Sequence, residues 1–178
     1  MPHQDDHVMR VKRLALYIAE REGGDADVVR VAAELHDICR DEPDHAKRGA
    51  EKAREILKSR GYDADFVERV CHCIESHSFS GNVYPETLEA KILSDADKLD
   101  AVGAVGVARA FMFSGENDRD IESTLRHFEE KLLKLRDLMH TKTARKIAER
   151  RHKFMEDFYR RLRDEIELKD VFQENRIG

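Results

Sequence analysis

Apolar residues along the chain recur at three- and four-residue intervals, and no stretch alternates every second residue with β-branched side chains. The pattern predicts an all-α protein. A first helix runs over about Asp5–Arg21 and stops at Gly23-Gly24. A second opens with Asp25 as N-cap and continues through the apolar run Val28–Ile38 to near Arg40, before Pro43. A third spans about Asp44–Ser59 and closes at Gly61; a fourth spans about Asp63–His77. A loop over Ser78–Tyr84 has Gly81-Asn82 as its turn residues, and Pro85 starts the helix that carries Asp95-Ala96-Asp97-Lys98-Leu99-Asp100. The small residues Gly103, Ala104, Gly106 and Ala108 then permit close helix packing. Two long helices, about Asp118–Met139 and Thr141–Leu168, finish the chain.

The first of these two has Ile121, Leu125, Phe128, Leu132, Leu135 and Met139 in a seven-residue repeat, one buried stripe. Packing onto the helical core is the preferred reading of that stripe, ahead of a homodimer interface through the C-terminal helices. With 178 residues and 40% apolar content, the expectation is one domain over residues 1–170 with a short tail at 171–178 that frays.

Charged residues make up 39% of the chain, but the net charge is −5. The basic runs Arg145–Lys153 and Arg160–Arg163 alternate with acids on helices and read as solvated faces. No basic field argues for nucleic-acid binding. There is no leader pattern and no apolar run of membrane length, so a soluble cytoplasmic protein without membrane association is expected. Three cysteines give no disulfide framework, and Cys71-His72-Cys73 lacks the second pair that a zinc site needs.

Against this helical background the polar residues on apolar faces stand out. His7 shares a face with Val11, Leu14 and Ile18. His36 and Asp37 interrupt an apolar run, where burying either unpaired is costly. Asp97 falls four residues after Leu93 and seven after Ala90, so it too faces inward. Three acids at 95, 97 and 100 repel unless a cation offsets them, and Lys98 supplies only one charge. Histidine nitrogen and carboxylate oxygen together suit a divalent transition metal. His45 begins the third helix, and His77 shares a stripe with Phe66, Val70 and Cys73, so both are candidates for a second layer that holds another metal or a substrate phosphate.

The ordered set His7…His36-Asp37…Asp97, with the flanks His7-Val8-Met9-Arg10-Val11, Leu35-His36-Asp37-Ile38 and Asp95–Ala101, resembles the HD-domain superfamily of metal-dependent phosphohydrolases. His45 with Gly49 and Ser76-His77-Ser78-Phe79 resemble that family's intervening histidines. The likeness covers roughly residues 1–115 and is strongest to small stand-alone predicted HD hydrolases.

The resemblance implies an HD-type helical bundle in which His7, His36, Asp37 and Asp97 ligate one divalent metal (Mn, Fe, Co, Ni or Zn), with a second ion as an option. It implies hydrolysis of a small-molecule phosphomonoester or phosphodiester such as a nucleotide, with Asp37 and Lys98 as catalytic residues. Arg10, Arg40, His45, His77 and Asp100 are the candidate substrate contacts. Asp100 is also a candidate for orienting a ligand histidine or Lys98. Cys39 stands where many relatives carry glycine, and no Gly-Tyr-Pro follows His77, which argues against a cyclic-dinucleotide phosphodiesterase. Three rival readings remain: a di-iron HD oxygenase with His45 and His77 on the second iron, a different hydrolase chemistry on the same metal site, and a non-catalytic helical interaction protein.

Overall fold

In the computed structural model, residues 2–78 and 83–173 are described, so the expected turn at Gly81-Asn82 lies outside the described residues, as does the end of the tail. Among the described residues every regular element is helical, and no helix is long and apolar enough to cross a membrane. The chain divides into two compact units.

The first unit comprises residues 1–100 and 139–146. Helix α1 (Pro2–Glu22) buries Val11, Ala15, Ile18 and Ala19, and His7 lies on the same stripe. It ends where Gly23, at φ 83°, and Gly24 both donate to the Ala19 carbonyl. The Asp25 carboxylate then caps α2 (Ala26–Leu35), accepting from the backbone of Asp27 and Val28.

The second helix is shorter than its apolar run predicts. It stops at Leu35 with His36 as C-cap, and Ile38, Arg40 and Glu42 donate to the carbonyls three residues back. His36 and Asp37 therefore sit in tight successive turns rather than inside a helix, and both are buried there. Asp44, at φ 53°, redirects the chain into α3 (His45–Ser59).

Helix α3 presents a face of small residues, Ala46, Gly49, Ala50 and Ala53, to α4 (Ala64–Glu75). The Cys71 thiol bonds the Ala50 carbonyl at 3.3 Å, and a Cβ on Gly49 would already touch Ile74 at 3.4 Å. The fourth helix ends before His77, with Ser76 donating back to the His72 carbonyl.

Helix α5 (Leu88–Asp100) starts three residues after Pro85, capped by the Thr87 hydroxyl. It packs against α1, α2 and α4, and is buried almost all round, including Ser94, Asp95, Lys98 and Asp100. Each of these polar groups therefore needs a partner inside the protein.

The second unit comprises residues 101–138 and 147–178. Helix α6 (Ala104–Glu116) follows Gly103, and a Cβ on Gly106 would fall 2.2 Å from the Ala101 carbonyl oxygen, so only glycine fits there. Helix α7 (Ile121–Glu130) is capped by Asp120. The long helix expected over residues 118–139 is instead broken at Lys131, whose backbone leaves the helical region, and it continues as a 3-10 helix over Leu132–Leu138. The apolar stripe survives the break: Leu125, Phe128, Leu132 and Leu135 are buried, whereas Ile121 is half exposed. Helix α8 (Lys142–Ile166) is the one long C-terminal helix, followed by α9 (Lys169–Gln173). Tyr159 and Arg163 of α8 both bond Glu129 of α7.

Candidate metal centre

Four side chains from three elements of the first unit converge. His7 comes from α1, His36 and Asp37 from the turn after α2, and Asp97 from α5. His7 Nε2 lies 3.3 Å from His36 Nε2, 3.4 Å from Asp37 Oδ2 and 3.4 Å from Asp97 Oδ1. His36 Nε2 lies 3.6 Å from Asp37 Oδ2 and 4.0 Å from Asp97 Oδ1. His7 and His36 are almost fully buried, and the Asp37 side chain is 6% exposed, whereas that of Asp97 keeps 27% exposure. The set is thus closed except on the Asp97 side.

At this site the outer nitrogens of His7, His36 and His77 are each spoken for. His7 Nδ1 lies 2.7 Å from Asp100 Oδ2, His36 Nδ1 lies 2.8 Å from the Ala33 carbonyl, and His77 Nδ1 lies 2.6 Å from the Ile74 carbonyl. A carbonyl oxygen only accepts, so His36 and His77 carry the proton on Nδ1 and turn an Nε2 lone pair inward. The two imidazole nitrogens then face each other at 3.3 Å, and each faces one oxygen of Asp37 and one of Asp97 at 3.4–4.0 Å. Acceptors at that separation need a proton or a cation between them. In the bare chain the charge comes from His7: burial pushes its imidazole down, but Asp100, Asp37 and Asp97 outweigh it and lift it to about 10. Burial works to raise Asp37, yet His7, His36 and Arg40 hold it far below the usual carboxylate range. Asp97 is held down in the same way by His7, His77 and His36. His7, His36 and Asp37 bring their ligand atoms close enough together to hold a divalent metal ion, and Asp97 stands beside the two histidines as a further oxygen ligand.

A second trio shares Asp37. His77 Nε2 is 3.9 Å from Asp37 Oδ1, and Asp37, His45 and His77 form a second group able to hold an ion. The imidazoles of His7, His36, His77 and His45 follow one another edge to face, with centroids 5.3, 5.1 and 5.6 Å apart. Burial pushes both His45 and His77 down, which keeps them neutral and able to accept.

The remaining candidates lie around this centre. Arg10 donates twice to Asp100, at 2.6 and 3.0 Å, so Arg10 and Asp100 form a pair backing His7. Arg40 donates to Asp37 Oδ2 at 2.5 Å, and its side chain is 44% exposed. Lys98 is buried and donates to the Ser94 hydroxyl at 2.6 Å; Ser94 in turn donates to the His77 carbonyl at 3.2 Å. Burial pushes the Lys98 ammonium down against the pull of Asp95 and Asp97.

One residue of this shell, Ser94, escapes a reading of the sequence, and so does the role of Asp95, which the sequence marks only as one of three clustered acids. Ser94 links Lys98 to the His77 backbone, and its only signal is the spacing of four from Lys98. Asp95 accepts from the His140 amide and from the amide and hydroxyl of Thr141, each at 2.8 Å. It ties α5 to the start of α8, and nothing local in the sequence marks residues 140 and 141 as its partners. Cys39 is buried, and nothing in the structure gives it a role.

The HD domain family model matches residues 5–102. The chain is 41% identical to the uncharacterized Bacillus subtilis protein YpgQ, over 92% of this chain and 84% of that one. The crystal structure of YpgQ in complex with ADP superposes with a TM-score of 0.77 at 41% identity, covering 90% of this chain and 87% of that one. An HD-superfamily hydrolase from Bacillus thuringiensis superposes with a TM-score of 0.73 at 36% identity, covering 90% of this chain and 85% of that one.

Proposed function

The chain belongs to the HD domain family, and on that premise we propose that it is a metal-dependent phosphohydrolase acting on a small phosphate ester, with a nucleotide as substrate. One observation carries the reading: His7, His36 and Asp37 bring their acceptors together, with Asp97 against the two histidines, and the four offer no donor among them once His7 loses its proton. The similarity to a relative whose structure holds ADP supports a nucleotide as the phosphate ester.

A divalent ion on these ligands supplies Lewis acidity toward water and toward a phosphoryl oxygen. The chain's own residues do the rest. Asp100 fixes the His7 ring and, as a carboxylate, strengthens Nε2 as a donor. The Ala33 carbonyl fixes the tautomer of His36. Asp37 is the residue common to both ion-holding groups, which gives it the central place in positioning the attacking water. Arg40, half exposed beside Asp37, is placed to meet substrate phosphate charge. Lys98 acts through Ser94 on the His77 backbone and adds positive charge to the wall of the site.

Incubating the protein with manganese, cobalt or nickel and a panel of nucleotides and simple phosphate esters tests this. Phosphate or pyrophosphate release that depends on the ion and disappears in His36→Ala is the expected result. No release with any ion would reject it. The trio Asp37, His45 and His77 keeps one rival in play, a di-iron oxygenase. Two irons per chain with dioxygen uptake would favour that chemistry instead.

A further inference from the structure

A strip of cations without an ion-pair partner in the first unit lies beside an exposed aromatic ring. Lys91, Ser94, Asp95 and Lys98 fall on one face of α5, and two turns separate Lys98 from Lys91, about 10 Å along the axis. Residues 139–145 run past this face, held by Asp95 through His140 and Thr141. Asp95 is the one acid of the face, and three donated bonds occupy it. Lys98 bonds a neutral hydroxyl, and Arg145 bonds the carbonyls of Met139 and His140 at 3.0 and 3.2 Å. Among the described residues no carboxylate lies in ion-pair contact with Lys91, Lys98 or Arg145. Half-buried His140 sits in the field of all three: burial and then Lys98 push its imidazole down, Asp95 opposes them, and Lys91 and Arg145 push further. Tyr84 meets the His140 ring edge to face, with centroids 5.7 Å apart, and is 64% exposed.

Cations without an ion-pair partner recruit phosphate, and an exposed aromatic beside them offers a surface for a flat heterocycle. The strip begins one residue beyond Asp97 and touches the His77 backbone through Ser94, so it adjoins the ligand set. We propose that this strip holds the part of a nucleotide substrate beyond the reacting phosphorus, with the phosphate chain along Lys98 and Lys91 and the base against Tyr84. This inference rests on the nucleotide reading above.

Calorimetric titration of ADP and of pyrophosphate, both in methylene-bridged forms that resist hydrolysis, into the manganese-loaded protein tests it, because binding is then read without turnover. Tyr84→Ala is expected to weaken ADP about tenfold and to leave pyrophosphate within about twofold, since stacking is lost and phosphate contacts remain. Tyr84→Phe keeps the ring and is expected to bind ADP within about threefold of the wild type. Lys91→Ala is expected to weaken both ligands by about fivefold. Both positions lie outside the set of metal ligands, and manganese content serves as the check that each of the three variants is folded and loaded. Unchanged ADP binding in Tyr84→Ala, or equal loss of ADP and pyrophosphate, would overturn the proposal. Wild-type protein that binds pyrophosphate but not ADP would also overturn it and leave the hydrolase reading standing. Failure to bind either ligand, together with failure to release phosphate from any ester, would remove both.

Discussion

Replacing Asp100 by asparagine separates a ligand-orienting residue from a substrate contact. The Asp100 side chain is 2% exposed and accepts three bonds: Nδ1 of His7 at 2.7 Å, and two from Arg10 at 2.6 and 3.0 Å. Asparagine keeps the shape and one acceptor but removes the charge and replaces an oxygen with an amide donor. His7 Nδ1 then loses its anionic partner, and Nε2 becomes a weaker base toward the ion. Loss of such a partner behind a ligand histidine costs roughly 10–100-fold in metal affinity, about 1.4–2.7 kcal/mol. The stranded Arg10 guanidinium is part-exposed and rehydrates, so the fold should survive. Manganese affinity by competition with a chromogenic chelator, alongside KM for a phosphate ester at saturating manganese, resolves the two roles. The expected result is weaker manganese binding with KM little changed once the site is saturated. Unaltered metal affinity with a raised KM would refute the reasoning and return Asp100 to the substrate side.

Two further outcomes follow from the same geometry. With His7 lifted to about 10 in the metal-free chain, an ion binding at about pH 7.5 must displace one proton, and affinity should fall about tenfold per unit as pH drops below that value. Calorimetry in two buffers of different ionisation enthalpy measures the released proton, and none released would contradict the assignment. Asp95→Ala strands three donors that now bond at 2.8 Å, which should cost at least about 3 kcal/mol and lower Tm by roughly 10 °C in thermal unfolding. A shift under about 2 °C would mean that water replaces the carboxylate.

The parts of this architecture legible in the sequence are those that depend on local rules. Asp25 and Asp63 cap their helices because a carboxylate before an apolar run accepts the free amides, and Gly23 ends α1 by taking a positive φ. The inward placement of His7, His36, Asp37 and Asp97 follows from polar residues recurring at core positions. What escaped depends on tertiary contact. The apolar period continues past Leu35, so the chain reads as helix where the structure tightens into turns that carry both His36 and Asp37 inward. The stripe from Leu125 to Leu135 keeps its period across a break at Lys131 that no proline or glycine announces. Arg10 reads as a phosphate contact until α1 and α5 are packed together, which places it on Asp100, ninety residues away.

The central claim is that four convergent acceptors hold a metal ion, and elemental analysis of the protein purified without added metal, beside Asp37→Ala, tests it most directly. About one divalent transition metal per chain in the wild type, lost in the variant, is the predicted result. No metal in the wild type even after reconstitution, or equal metal in both proteins, would contradict the site and leave a helical scaffold as the better description.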